Sequence, residues 1–405
     1  MKRRQFLAGG AALGAGAAID RLAGGGHGTT ATARAAAAPD AAAALHERFV
    51  FEGVHQAGVL TPRQAHAIVV AFDAITESPA QLAEGLRRLS VRGRALSTGY
   101  DALLGAPGEG PTPDSGVLGP RVTPDGLTVT IGVGASLFDD RYGLAARRPP
   151  GLKPMPSFPD DALVPAETHG DVLLQLCANS EDKLLHALRD LMRSTRGVLA
   201  ARWKAEGFLP PPSRSPGAGR NLLGFKDGTA NPDVADARLM DRLVWDADGG
   251  TYAAVRIIRN RVEFWDRVAR AEQELMIGRA KDTGAPLGRR READDPGYHD
   301  DPDGRRIPLD AHMRLARPRT PETEDSRILR RGFNYSRGID ESGQLDMGLV
   351  FVAFNRDLER QFEAVQRRLA GEPLVDYIVP TGGGYFYLPP GARDAQDWVG
   401  SGLFT

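Results

Sequence analysis

A single cysteine, Cys177, stands in a chain of 405 residues. This scarcity excludes an internal disulfide, a zinc ribbon and an iron–sulfur cluster held by this chain alone. An excess of charge of one sign is missing as well: 51 Lys plus Arg against 52 Asp plus Glu leave a net charge of -1. No basic stripe occurs beyond short Arg pairs, so the electrostatic footprint of a nucleic-acid binder is absent. No run of about 18 strongly apolar residues is present, which argues against a membrane-spanning helix. Common catalytic signatures are missing too. There is no G-x-x-x-x-G-K-S/T, no H-E-x-x-H and no G-x-S-x-G, and the glycine-rich pieces near Gly132 and Gly382 lack a dinucleotide-binding context. What remains is a chain 41% hydrophobic and 25% charged, able to bury a full core and long enough for two or three domains or one large pair of packed halves.

Residues 1–38 read as an address. Arg3-Arg4 is followed by Phe6-Leu7, a weakly apolar Gly/Ala-rich run to Ile19, and small residues including Ala31-Thr32-Ala33. Charge, apolar run and small-residue end come in the order of a twin-arginine (Tat) export signal. A periplasmic or extracellular destination follows, and export of an already folded chain is itself a hint of an inserted cofactor.

From residue 45 onward, strand-like and helix-like segments mix. Ala67–Phe72, Leu127–Val133 and Val172–Cys177 predict strands. Leu82, Leu86 and Leu89 sit at helical spacing, as do Leu184, Leu188 and Leu191 after a cap at Asn179 or Ser180. Similar units return at Tyr252–Ile258 and at Gly348–Asn355, the latter leading into Leu358, Phe362, Val365 and Leu369. This is a faint duplication of order. Pro210 to Gly219 reads as a linker and Pro286 to Pro308 as irregular. The expected fold is therefore α+β: two antiparallel units, residues 45–215 and 220–405, with helices packed on the outside.

Three pieces carry candidate chemistry. Asn221–Pro232 places two glycines around an aspartate, in Gly224-Phe225-Lys226-Asp227-Gly228, where the backbone can approach a flat ligand. On its own an Asp-Gly pair is an ordinary turn. Ala311–Arg319 holds His312 with Arg314, Arg317 and Arg319 close behind. Arg327–Tyr335 embeds arginines in a strand-like stretch. Cys177 reads as a packing residue.

In this order, with Cys177–Asn179 and Gly382–Phe386, these pieces resemble the dye-decolorizing (DyP-type) peroxidase family, closest to its exported deferrochelatase branch. The resemblance spans most of the chain after the signal. It implies a duplicated ferredoxin-like fold and one haem b per chain. It further implies His312 as the iron ligand, and Asp227 and Arg330 as the acid–base and the fixed cation on the opposite face. Gly228, Thr229 and Ala230 are implied to line the haem edge, Asn231 to order water there, and Arg317, Pro318 and Arg319 to hold the propionates. Arg317 stands where the family often has Asn. Asp376 is the expected carboxylate partner of His312, with Glu372 behind it, and Arg331 is the competitor of Arg330. The implied substrates are hydrogen peroxide and aromatic reductants such as phenols and dyes. An aspartate base, whose ordinary pKa is about 3.9, predicts activity favouring acid pH. Electrons from reductants outside the pocket are then expected to pass through Trp203, Trp245, Trp265 or Trp398, each of which also reads as core. The alternative is a haem-binding component of iron acquisition partnered with an iron-transport system; a homo-oligomer stays open. The other histidines read as surface or helix residues, His186 on a polar helix face, and Tyr298–Gly304 as a solvated loop.

Overall fold

The structure, a computed structural model, describes residues 41–105, 111–214 and 217–404. The export signal expected over 1–38 lies outside the described residues. Eight long strands organise the chain: β1 His66–Ala74, β2 Thr128–Gly134, β3 Val172–Ala178, β4 Leu199–Phe208, β5 Thr251–Asn260, β6 Phe333–Ile339, β7 Leu345–Asn355 and β8 Ile378–Leu388. The first four pair antiparallel in the order β2-β3-β1-β4, the last four in the order β8-β5-β7-β6. Numbered within its own half, each sheet runs four-one-three-two, so the duplication in the sequence is a duplication of ferredoxin-like topology. The halves are not separate bodies. Gly134 pairs with Phe386 and Val133 with Tyr387 at one seam, and Phe208 pairs with Asn334 at the other, which closes the two sheets into one barrel.

Closure explains a pattern that half-buried strands would not show. In β1, Val69 and Ala71 enter a core shared with Leu173, Val255, Val352 and Phe386, contributed by both halves. Ile68, Val70 and Phe72 enter a second core with Leu82, Leu86 and Leu89 of α1 (Pro79–Thr98) and Leu184 and Leu191 of α2 (Glu181–Ser194). Strands β2 and β3 are buried along their whole length because the barrel interior lies on one side and helices on the other. The apolar run 67–72 therefore serves two cores at once. Ser180 does occupy the N-cap position of α2, but its hydroxyl pairs with Asp125 instead of capping the helix.

The two halves differ on their outer faces, and this difference positions the site. In the first half α1 and α2 lie flush on the sheet. In the second, only short helices follow β5: α3 (Arg270–Ile277), α4 (His312–Ala316) and, after β7, a helical stretch ending in α5 (Ala364–Leu369). Residues 278–311 between α3 and α4 are mostly irregular, as the Pro, Gly, Asp and Arg content of Pro286–Pro308 predicts. These pieces stand off the sheet and leave a cavity of about 270 Å³ against its outer face. Arg256, Ile258 and Asn260 of β5 and Leu349 and Phe351 of β7 floor that cavity, while their neighbours Val255, Ile257, Val350 and Val352 point into the barrel. No helix among the described residues is long and apolar enough to cross a membrane.

Candidate active site

His312 is the first residue of α4 and lines the cavity. Its Nδ1 lies 2.8 and 2.9 Å from the two carboxylate oxygens of Glu372, whose side chain is 2% exposed. Nδ1 is thereby committed, and Nε2 is left as the free ring nitrogen. The 31% of the imidazole that is accessible belongs to a residue of the cavity wall. Burial opposes a charged ring, but the Glu372 carboxylate, by its charge and its hydrogen bond, outweighs burial and holds the imidazole above its ordinary pKa. The expected partner Asp376 is displaced by this contact. Asp376 lies at the end of the short turn Pro373–Asp376, where its carbonyl accepts from Arg261, whereas Glu372 sits one residue before that turn and reaches back to the ring.

Asp227 and Arg330 line the same cavity and meet: Arg330 Nη1 donates to Asp227 Oδ1 at 2.9 Å, with both side chains about a quarter exposed. Arg330 belongs to the two-residue strand Leu329–Arg330, which pairs with Phe354 and Ala353 of β7. Arg331 points the other way, as adjacent strand residues must. It is 3% exposed and donates to Thr61 O and to Gln64 Oε1, in the first half. Asn231 does not line the cavity. Its Nδ2 donates to Arg330 O at 2.7 Å and its Oδ1 accepts from Arg330 N at 3.2 Å, so the side chain acts as a surrogate strand for that backbone.

Gly228, Thr229 and Ala230 do line the cavity. Gly228 adopts φ +101°, a conformation that favours glycine. Thr229 Oγ1 donates to Glu292 Oε1 at 2.8 Å, and Lys226 pairs with the other oxygen of the same carboxylate, so Glu292 anchors the loop beside Asp227. Arg317 and Arg319 reach the cavity; Pro318 does not. The sequence assigns no role to three further members of this wall, Arg279, Tyr298 and Arg327, although Arg327 opens the arginine-bearing stretch Arg327–Tyr335. Burial lowers the Arg279 and Arg317 guanidiniums from their ordinary values and pushes the Tyr298 hydroxyl up to about 12. Tyr298 thus belongs to the site and not to a solvated loop; beside it, Asp301 is buried and holds the Arg306 and Ile307 N–H groups.

A second polar cluster, one with ligand-type atoms close together, is structural in character. His186 is 1% exposed, not on a polar face: Ser115 lies 2.8 Å from Nδ1 and Tyr100 lies 3.1 Å from Nε2. Asp114, His186 and Asp190 bring ligand-type atoms within 4.8 Å of one another. Arg92 already forks onto both oxygens of Asp190 at 2.7 and 2.8 Å, which neutralises the carboxylate a cation would need.

Two family profiles match the chain in tandem. Dyp-type peroxidase, N-terminal, covers residues 56–209, and Dyp-type peroxidase, C-terminal, covers residues 218–393. The chain belongs to the DyP-type peroxidase family. The deferrochelatase of Escherichia coli K12 is 50% identical over 391 residues, covering 92% of this chain and 90% of the relative. Among solved structures, the DyP-type peroxidase of Cellulomonas bogoriensis superposes with a TM-score of 0.80 at 36% identity, over 89% of this chain and 99% of the other. An oxyferrous complex of DtpA from Streptomyces lividans gives 0.81 at 33% identity, over 90% and 100%.

The protein is a haem peroxidase, and the residues of its cavity fit that cofactor. Part of the lining is apolar, with Leu349, Phe351, Phe362, Val365 and Leu374 facing the space. One imidazole nitrogen is free. Buried polar atoms without a hydrogen-bond partner among the described residues include Arg317 Nε, Arg327 Nε and the Tyr298 hydroxyl, all on cavity-lining residues. Donors left in this state are costly unless an anion such as a carboxylate meets them. A DyP-type peroxidase therefore carries here an apolar slot, one nitrogen ligand, an acid–cation pair and a cationic wall.

Proposed function

We propose that this DyP-type peroxidase reduces hydrogen peroxide and takes the electrons from small aromatic reductants such as phenols and dyes. Asp227 serves as acid–base, Arg330 as fixed cation and His312 as iron ligand. Bound haem supplies the redox-active iron; the protein's own residues supply the proton handling and the charge. The Asp227 carboxylate takes a proton from peroxide and returns it to the departing oxygen. Arg330, ionised at any working pH, stabilises the negative charge that develops there. The Glu372 carboxylate accepts a hydrogen bond from His312 Nδ1–H, which fixes the tautomer so that Nε2 would be the nitrogen offered to a bound haem. Haem b is the form proposed, because the lone cysteine is buried away from the cavity and offers no thioether.

The contact that carries this reading is the 2.9 Å pair between Asp227 and Arg330 on the same cavity as His312. Steady-state turnover of a dye with peroxide tests it. Asp227→Asn should lower kcat/KM for peroxide by about 10²–10⁴-fold, and Arg330→Leu by about 10²–10³-fold. Haem content should stay unchanged in both. Undiminished turnover in both variants would remove the assignment.

The second reading, supported by 50% identity to proteins named deferrochelatase, is a role in iron acquisition at the same cavity, with an iron-transport system as partner. The Arg3-Arg4 motif supports Tat export to the periplasm or beyond. Iron release from added haem, measured without peroxide, separates this role from peroxidase turnover.

A further inference from the structure

The cavity belongs to the second half of the chain except at one place. Phe158, Pro159, Asp160 and Asp161 line it, and every other lining residue is numbered 221 or higher. These four lie in the irregular connection between β2 and β3, which crosses over from the first half. Side chains hold this segment to the cavity wall. Arg256, on β5, forms an ion pair with Asp161 in which the two side chains are 2% and 1% exposed. The same guanidinium lies 5.2 Å from the Phe158 ring centroid, and Phe158 meets Phe362 edge to face at 6.0 Å. Asp160 Oδ2 accepts from the Gly371 N–H at 3.3 Å, next to Glu372. Backbone pairing to β8 begins only beyond the segment, where Ala162 and Val164 donate to Pro380 O and Thr381 O at 3.0 and 2.7 Å.

Strands β5, β7 and β8 are locked into barrel ladders, and the loops at 221–230 and 316–330 carry the site residues themselves. A flat tetrapyrrole needs an opening as wide as itself, and a strap held by a few side chains opens without breaking a ladder. The latch is also two-state in character. A buried ion pair is tolerated while both charges are present, and parting them inside the protein leaves each uncompensated, so the strap is either seated or lifted clear.

We propose that Phe158–Asp161 is a retaining strap for the haem, latched by Asp161 and Arg256, and that this segment moves when the tetrapyrrole enters or leaves. The proposal rests on the haem-peroxidase reading. Its test is the transfer of haem from the holoenzyme to excess apomyoglobin, followed at the Soret band. Asp161→Asn, which keeps the shape and removes the charge, should speed transfer at least ten-fold. Phe158→Ala, which leaves the ion pair in place, should also speed it several-fold, and it decides the matter if Asp161→Asn does not fold. Asp190→Asn breaks a buried pair with Arg92 that lies outside the cavity, and should change the rate less than two-fold. Transfer within two-fold of wild type in both strap variants would overturn the proposal, as would equal acceleration by Asp190→Asn. A wild-type protein that takes up no haem would instead sink the haem reading, and this proposal with it.

Discussion

Glu372 shows what the sequence withholds at the scale of one residue. Two carboxylates stand near each other, Glu372 and Asp376, and only the path of the Pro373–Asp376 turn decides which one reaches the His312 ring. The same limit applies to Asn231, which the family resemblance implied to order water, while the fold uses both ends of its amide on the Arg330 backbone. Arg330 over Arg331 was legible in outline, because adjacent strand residues diverge, but which of the two faces the cavity depends on register. The orphaned donor on Tyr298 is brought to the cavity by chain folding from a segment that reads as a solvated loop, and Arg327, inside the arginine-bearing strand-like stretch, had no role legible in its residue type alone. Glu372→Gln should weaken haem affinity or peroxide turnover by about 10–100-fold, the usual effect of removing a ligand's hydrogen-bond partner. Asp376→Asn should leave both unchanged. Parallel haem titrations of the two variants distinguish the carboxylates, and an equal loss in both would contradict the assignment.

Strands and helices were easier to read than their partners. The runs at 67–72, 172–177, 252–258 and 348–355 lie in long strands, and that at 127–133 does so from Thr128 onward, because β-branched and aromatic residues at those positions have two cores to fill. The pairing order was not legible, since it is set by long-range register. Gly383 marks one such constraint: it has φ +112° beside a register shift in β8, and a Cβ there would lie 2.0 Å from Val255 O. Gly383→Ala should cost about 2–4 kcal/mol in denaturant unfolding, from strain plus backbone collision. At the other sheet, Lys183 of α2 is 1% exposed and donates to Leu96 O and Thr123 O, tying α2 to the end of α1. Burial lowers its ammonium from 10.5 to about 8. Because the unfolded chain binds this proton more tightly, Lys183 opposes folding most below about pH 8 and less as pH rises toward its unfolded pKa of about 10.4. The stability of wild type relative to Lys183→Met should accordingly rise between these limits, by on the order of 3 kcal/mol. A flat difference over that range would contradict the burial argument.

Taken as a molecule, two repeats of one topology have been given different tasks. The first half packs its helices directly on its sheet, while the second holds them off and uses the space as a site, with one strap from the first half completing the wall. Because both sheets share the barrel interior, neither half has a core of its own there, and a single cooperative unfolding transition is expected in calorimetry. Two separated transitions would show that the halves are independent. Most of the molecule's function converges on one nitrogen, His312 Nε2, and the absorption spectrum of the reconstituted protein reports on it most directly. Wild type titrated with haem should give a saturable one-to-one Soret band whose position shifts in His312→Ala, with turnover of peroxide lost in the variant. An unchanged spectrum and undiminished turnover in His312→Ala would contradict the account.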